Sequence, residues 1–205
     1  MKIYFDGCSW TQGGELENPE KERFSKLICD KLGAEETNLA IGGGSNDRIV
    51  RNLLVEHHIK DYDLAMIQMT SPIRTEYLRV DKWRQFKTDW KLSRMVRGDK
   101  ELEFGADKKL ESADGHEKFL KHYYNNIANL RYFETKEKIH RETIISYCKA
   151  NNVPLILSTI NRFSNLDFDY VMKVEKATSA PRKHPNKQGH KIIANDLLKH
   201  YENLF

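Results

Sequence analysis

The sequence predicts an α/β protein in which helices are layered on a mainly parallel sheet. Three observations predict it: apolar runs of strand length recur along the chain, amphipathic segments alternate with them, and the run Asp63–Thr70 is apolar almost throughout. Such a run is typical of a strand buried on both faces. Alternation of strands with helices is typical of parallel α/β folds. We therefore expect a single α/β domain over residues 1–205.

The elements follow one another in a regular order in both halves of the chain. Pro19 suits the first turn of a helix and Gly33 suits a helix stop, and Ser45 or Asn46 can cap a helix after three glycines. The predicted strands are Lys2–Phe5, a strand in TNLAIGGGSN (37–46), Asp63–Thr70 and VPLILSTI (153–160). The predicted helices are Pro19–Leu32, one that starts at Ser45 or Asn46, Lys138–Ala150, and one from about Lys187 to Tyr201.

A charged, aromatic-rich insertion interrupts this order after the third strand, at about residues 74–132. Trp83, Phe86 and Trp90 recur at helical spacing within it, so we expect a helix with an aromatic stripe. The stripe is more typical of a packed helix than of a platform that stacks on sugars or bases. We expect this helical insertion to cover the carboxyl edge of the sheet, where loops of open α/β folds contact ligands.

Composition limits the classes of function. A net charge of +4 with 31% charged residues describes a hydrated surface and argues against a dedicated nucleic-acid binder. No apolar run approaches the roughly 20 residues of a membrane span, and a strand that begins at residue 2 leaves no room for a signal peptide. Three cysteines without CxxC spacing, and histidines without acidic partners, indicate neither disulfides nor a metal site. We expect a cytoplasmic protein without metal, cofactor or membrane contact.

Polar or glycine-rich segments follow the first three predicted strands. They are GCSWT (7–11), IGGGSN (41–46) and TSPIRTE (70–76). Because the carboxyl ends of parallel strands meet at one edge of a sheet, we expect these segments to share a cleft. A fourth segment, HPNKQGH (184–190), precedes the last helix and contributes the histidine that a serine nucleophile needs as a base.

Together these segments resemble the SGNH, or GDSL-type, hydrolases, a flavodoxin-like group of esterases and acyl hydrolases. The family's Gly-Asp-Ser block appears as Gly7-Cys8-Ser9, its Asn-x-x-x-x-Gly block as Asn38 to Gly43, and HPNKQGH matches the end of its Asp-x-x-His block. The chain is also similar to short members encoded by tailed phages, in which GCSxT and TSPxR replace the usual blocks. The resemblance implies a three-layer flavodoxin-like fold.

The resemblance also implies a chemistry. Ser9 would attack an acyl carbon while His184 takes its proton, and the backbone amides of Ser9 and Gly43 would stabilise the oxyanion. The implied substrate is a small-molecule or carbohydrate ester with an acetyl or other small acyl group. Cys8, which replaces the family's aspartate, is expected only to pack beside the strand end.

Two family blocks differ in this sequence. The oxyanion-hole asparagine of the third block is absent, so another donor is needed, and the aspartate three residues before the histidine is Pro181. The candidate acid is Asp169, with Asp167, Glu175 or a backbone carbonyl as alternatives. The candidate donors or substrate-binding residues are Asn46, Thr70, Ser71 and Arg74.

Some alternatives remain open at this level. Arg74 either binds an anionic substrate group or pairs with Glu76. His190, on the last helix, is expected to be a surface or capping residue. A non-catalytic protein on the same scaffold that binds a glycan or a nucleic acid is the main rival to the esterase. A third alternative is binding of single-stranded nucleic acid through Trp83, Trp90 and the nearby Arg and Lys residues.

Overall fold

The protein is described by a computed structural model that covers residues 1–79, 82–85, 130–160, 166–173, 175–181 and 184–204. The strands are β1 (Lys2–Asp6), β2 (Glu35–Asn38), β3 (Leu64–Met69), β4 (Glu76–Arg79), β5 (Lys82–Gln85), β6 (Leu155–Ile160) and β7 (Tyr170–Met172). The α-helices are α1 (Ser9–Gln12), α2 (Pro19–Glu22), α3 (Phe24–Leu32), α4 (Asn46–Arg51), α5 (Leu130–Ala150) and α6 (Lys187–Glu202). A π-helical turn (Asn52–Glu56) and two 3-10 turns (Ile59–Asp61 and Lys176–Thr178) complete the described elements.

Five parallel strands form the central sheet in the order β2-β1-β3-β6-β7. If only the five strands of this sheet are numbered along the chain, β6 and β7 become the fourth and fifth strands. The order is then 2-1-3-4-5, as in flavodoxin-like folds. Side chains of successive strand residues point to opposite faces, and both faces are covered. One core joins the sheet to α1, α3 and α6, and the other joins it to α4 and α5. The predicted three-layer α/β fold is confirmed.

The first predicted helix is divided in two. Arg23 lies between α2 and α3 in extended conformation, with ψ of 146°, and its guanidinium binds both oxygens of Glu36. The ring of His190 is fully buried, stacks on Phe24, and accepts a hydrogen bond from the Phe24 backbone N–H at 3.1 Å. His190 was predicted to be either a surface or a capping residue. It caps α3 from inside the core, so the surface alternative was wrong.

The start of the insertion is a β-hairpin. β4 and β5 pair in antiparallel fashion, with Leu78 opposite Trp83. A helix that includes Trp83 was therefore a wrong prediction, because strand pairing overrides the helical spacing of the aromatic residues. Phe86 and Trp90 lie outside the described residues. No helix in the described part of the chain has the length and apolar character needed to cross a membrane.

A buried carboxylate joins the end of β1 to α4. Asp6 is fully buried, pairs with Arg48 Nη1 at 2.9 Å, and accepts hydrogen bonds from Asn52 Nδ2 and the Gly7 backbone N–H, both at 2.8 Å. Arg48 Nη2 also donates to the carbonyl of Leu39, which follows β2. Burial raises the pKa of Asp6, against the opposing effect of Arg48. This cluster aligns the loops that follow β1 and β2.

Replacing Arg48 with methionine is expected to destabilise the fold by about 3–5 kcal/mol, because Asp6 would remain as a buried charge without its cation. The free energy of unfolding in urea measures this. Lys199→Met, which removes a cation paired with Asp196 on the exposed surface of α6, is the control and should have a much smaller effect. Equal effects of the two substitutions would contradict a structural role for the buried pair.

His190 predicts a loss of stability in mild acid. Burial and the nearby His184 lower its pKa from 6.5 to about 4 in the folded state. Between these values the unfolded chain binds a proton that the folded chain does not, so stability falls as pH falls, by at most about 1.4 kcal/mol per pH unit. Unfolding free energies of the wild type at pH 7, 5.5 and 4.5 should decrease more steeply than those of His190→Gln. Parallel pH profiles would disprove this assignment.

Candidate functional site

Ser9 is the first residue of α1 and directly follows the turn at the carboxyl end of β1. The turn requires glycine at position 7, because a Cβ there would lie 2.5 Å from Thr11 Oγ1 and 3.0 Å from Gln68 Cβ. Real Cβ atoms essentially never lie as close as 2.5 Å to another heavy atom, and 3.0 Å is tighter than most real Cβ contacts. The tight turn brings the start of α1 against β3 and presents Ser9 at the edge of the sheet.

Gln68, a buried residue of β3, holds the turn between β1 and α1 through hydrogen bonds to Cys8 and Thr11. Its Oε1 accepts a hydrogen bond from Thr11 Oγ1 at 2.8 Å, and its Nε2 donates to the Met69 carbonyl and to Cys8 Sγ. Cys8 is 1% exposed, which agrees with the predicted packing role. Sequence reasoning missed Gln68; a polar residue inside an otherwise apolar strand was the available signal.

Ser9, His184 and Glu15 form a continuous hydrogen-bonded chain. Ser9 Oγ lies 2.9 Å from His184 Nε2, and His184 Nδ1 lies 2.5 Å from Glu15 Oε2. The His184 and Glu15 side chains retain only 14% and 19% exposure, so water screens their interaction incompletely. The structure thus brings together the predicted serine and histidine and adds a carboxylate that sequence reasoning did not consider.

Glu15 reaches His184 because of an unusual backbone. Gly13 and Glu15 have φ of 88° and 68°, in the left-handed region that residues other than glycine rarely occupy. A Cβ on the intervening Gly14 would lie 3.1 Å from the Ser9 carbonyl and 3.6 Å from His184 Cδ2. The chain therefore folds back closely over Ser9 after α1. Left-handed backbone at a non-glycine residue costs about 1–3 kcal/mol, and such strain clusters at functional sites.

His184 is held by the turn before α6. Its carbonyl accepts a hydrogen bond from the Ala180 N–H at 2.8 Å, and the Asn186 N–H donates to the Thr178 carbonyl. Asn186 caps α6, since its Oδ1 accepts from the Gly189 N–H at 3.0 Å. The segment HPNKQGH therefore combines a helix cap with a fixed position for the His184 ring.

The glycine segment packs against the turn at β1. A Cβ on Gly44 would lie 2.9 Å from the Gly7 carbonyl, and Gly43 adopts the left-handed φ of 75°. Ser45 caps α4 as predicted, because its Oγ accepts from the Arg48 N–H. Asn46 is buried, and its side chain binds both the N–H and the carbonyl of Thr70. These contacts join the ends of β1, β2 and β3 at one edge, as the motif order predicts.

The other predicted residues at this edge surround the carbonyl of Gly44. Thr70 Oγ1 donates to that carbonyl at 3.0 Å, and Arg74 Nη1 donates both to it and to Thr70 Oγ1. Arg74 does not pair with Glu76, whose carboxylate is bound in bidentate fashion by Arg51. Ser71 is 4% exposed, and its hydroxyl has no hydrogen-bond partner among the described residues.

The structure places Asp169 away from His184. Asp169 directly precedes β7, beside the middle of β6, where its Oδ2 accepts from the Leu157 N–H at 2.7 Å. Asp167 lies in the same connection and accepts from Arg141 through its carbonyl, while Glu175 caps a 3-10 turn with Thr178. The contact with His184 that was expected of Asp169 is made by Glu15, because the Asp169 carboxylate is held by the Leu157 N–H beside the middle of β6.

No group of three or more metal-ligating side chains is clustered among the described residues. The groups that meet at Ser9 are one hydroxyl, one imidazole and one carboxylate. This set supports proton transfer and nucleophilic attack.

No protein-family model and no curated protein matches the chain. Solved structures do match. One is a carbohydrate esterase whose active site is described as displaying divergent catalytic and non-catalytic binding functions, with 10% identity over 98% of this chain and a TM-score of 0.57. Another is a family two carbohydrate esterase from Clostridium thermocellum in complex with cellohexaose, with 12% identity over 98% of this chain and a TM-score of 0.53.

This chain spans 64% and 63% of those two chains. A third match, a protein from Desulfitobacterium hafniense assigned to the lipolytic G-D-S-L family, is 13% identical over 97% of this chain and 98% of its own, with a TM-score of 0.43. The structural similarity of this chain to the two carbohydrate esterases agrees with the strand order and the three layers described above. The chain therefore shares the three-layer α/β fold of these two carbohydrate esterases.

Proposed function

We propose that this protein is a serine esterase in which Ser9 is the nucleophile, His184 the general base and Glu15 the acid that orients the histidine. The observation that carries the proposal is the chain of two hydrogen bonds, 2.9 Å from Ser9 Oγ to His184 Nε2 and 2.5 Å from His184 Nδ1 to Glu15 Oε2. A serine hydroxyl is a weak nucleophile by itself, and an adjacent base oriented by a third group activates it.

In this proposal each atom of the hydrogen-bonded chain has a role. The Glu15 carboxylate accepts the Nδ1–H of His184, which leaves Nε2 unprotonated and facing the Ser9 hydroxyl. As Ser9 Oγ attacks the acyl carbon, its proton passes to Nε2, and Glu15 stabilises the imidazolium that forms. His184 then returns the proton to the alcohol that leaves. Water repeats the sequence and releases the acyl group from Ser9.

The oxyanion is stabilised by backbone donors in this proposal. The amides of Ser9 and Gly43 lie on the two turns that pack against each other through Gly7 and Gly44. The hydroxyl proton of Thr70 is already donated to Gly44, and the Asn46 amide binds the backbone of Thr70 on both sides. We therefore assign these two side chains to support of the glycine segment and the charge stabilisation to backbone N–H groups.

The substrate class in the proposal is an ester with a small acyl group, of which acetyl is the simplest. Two similar structures are described as carbohydrate esterases, so O-acetylated carbohydrates belong among the first substrates to assay. A purely binding role on the same scaffold has less support, because it does not require a histidine to contact both Ser9 and a carboxylate. The described residues also contain no helix that carries Trp83 for a nucleic-acid platform.

Labelling with a fluorophosphonate tests the nucleophile. The wild type is expected to react covalently, Ser9→Ala to lose all labelling, and His184→Ala to react at least 10²-fold more slowly because the base is missing. Intact-protein mass spectrometry measures the adduct. Ser25→Ala, which removes a buried hydroxyl in α3, is the control and should label like the wild type. Labelling that persists in Ser9→Ala, or is absent in the wild type, would refute the proposal.

Replacing Glu15 with glutamine tests the third group. Glutamine keeps the size and an acceptor oxygen but loses the charge, so kcat for 4-nitrophenyl acetate should fall by about 10²–10⁴ with little change in KM. The matched control is Asp169→Asn, the acid favoured by the sequence, which should retain wild-type kcat. A large loss in Asp169→Asn together with an active Glu15→Gln would reverse the assignment.

A further inference from the structure

Arg74 is a cation at the edge of the sheet, and it has no carboxylate partner in the part of the chain that the structure describes. Its hydrogen bonds run from Nη1 to the Gly44 carbonyl at 3.3 Å and to Thr70 Oγ1 at 3.0 Å. Both acceptors are neutral. Among the described residues no acidic side chain pairs with Arg74, although its side chain is partly buried. A partly desolvated charge favours a counter-ion, since burial weakens its hydration.

Two other arginines of this protein bind carboxylates, and they show which edge of a guanidinium makes that contact. Arg23 binds Glu36 through Nε and Nη2, both at 2.9 Å, and Arg51 binds Glu76 through the same two atoms at 2.6 and 2.9 Å. Nε and Nη2 form a planar fork that matches the two oxygens of a carboxylate. In Arg74 the Nη1 contacts fix the guanidinium, and the corresponding Nε–Nη2 edge has no acceptor among the described residues.

Arg74 is connected to the turn of Ser9 through the glycine segment. The Gly44 carbonyl that accepts from Arg74 belongs to the residue after Gly43, and Gly44 packs directly against Gly7 in the turn that presents Ser9. Ser71, whose carbonyl accepts from the Arg74 N–H at 3.1 Å, has a hydroxyl that is buried without a partner in the described part of the chain. An unused donor edge and an unused hydroxyl therefore occur in one turn beside the site.

We propose that the turn Ser71–Arg74 is an anion subsite, and that the protein acts on esters whose molecule carries a carboxylate, bound by the Nε–Nη2 edge of Arg74. This inference deepens the proposed esterase function and rests on it. The bound carboxylate supplies the acceptor that the guanidinium lacks and holds the ester bond at Ser9. A neutral ester of the same size reaches the same nucleophile without that contact.

Matched pairs of esters test the subsite on both sides of the scissile bond. The acyl-side pair is 4-nitrophenyl hemisuccinate and 4-nitrophenyl succinamate, and the alcohol-side pair is 3-acetoxybenzoate and 3-acetoxybenzamide. In at least one pair the wild type should show a kcat/KM for the carboxylate at least tenfold above that of the neutral amide. In Arg74→Met this ratio should fall by about 10–100-fold, the usual effect of losing a hydrogen bond to a charged group.

Two further variants make the result specific. Arg74→Lys keeps the charge without the planar fork, so it should retain more of the ratio than Arg74→Met does. Arg141→Met removes the same charge on α5, where Arg141 contacts Glu142 and the Asp167 carbonyl, and it should keep the wild-type ratio. Equal loss for both members of each pair in Arg74→Met would overturn the subsite, because it would show that Arg74 only supports the glycine segment or the oxyanion. A wild type without preference in both pairs would overturn it as well.

Failure of the esterase proposal is distinguishable from failure of the subsite. Binding of both pairs of esters to Ser9→Ala can be measured by calorimetry without turnover. In at least one pair the carboxylate should bind at least tenfold more tightly than the neutral amide, and Ser9→Ala/Arg74→Met should lose this difference. If the wild type hydrolyses no ester but this difference is present, the subsite stands and the esterase function fails. Equal binding of the two members in both pairs removes the subsite whatever the hydrolysis result.

Discussion

The buried ion pair between Asp6 and Arg48 is the constraint on which the edge of the sheet depends. A carboxylate at the end of β1 is acceptable in the core only with a cation and hydrogen bonds around it. Arg48 provides the cation from α4 and also binds the Leu39 carbonyl, so one guanidinium fixes the strand end, the helix and the loop between them. Gln68 of β3 holds the turn after β1 on the opposite face of the sheet, because its Oε1 accepts a hydrogen bond from Thr11 Oγ1. The turn that presents Ser9 is therefore held from both faces of the sheet.

With that turn fixed, a short segment places Glu15 against His184. The two residues are 169 positions apart in sequence, yet the carboxylate belongs to the segment that directly follows the helix of Ser9. Left-handed backbone at Gly13 and Glu15, with Gly14 packed on Ser9, shortens the path from α1 to the histidine. The strain is compensated by the Glu15–His184 contact and by the rigid edge beneath it. In the proposed mechanism an acid in the segment before His184 is then unnecessary, so Pro181 can occupy that position.

The sequence predicted the layers, the sheet edge and the approach of His184 to Ser9 because apolar runs and motif order determine which strand ends meet. It did not predict Glu15, because nothing in a sequence shows that a glutamate adopts a positive φ. The break at Arg23 depends on Glu36 and on His190, which is distant in sequence, and the hairpin at Trp83 depends on pairing with Leu78. Local spacing therefore missed the break at Arg23 and predicted the wrong element at Trp83. Asp169 was favoured by its nearness in sequence to His184, whereas its position before β7 keeps it from the edge.

The polar residues at the edge differ in how fully their hydrogen-bonding groups are used. Asn46 and Thr70 contribute theirs to the backbone that shapes the glycine segment, so they act on the site through its geometry. Arg74 contributes only Nη1 to that framework. A guanidinium fixed by one nitrogen has already lost much of its side-chain freedom, so an anion that binds the opposite edge incurs little further loss of entropy. The framework that holds the turn of Ser9 in place thus also orients Arg74, whose charge has no counter-ion among the described residues.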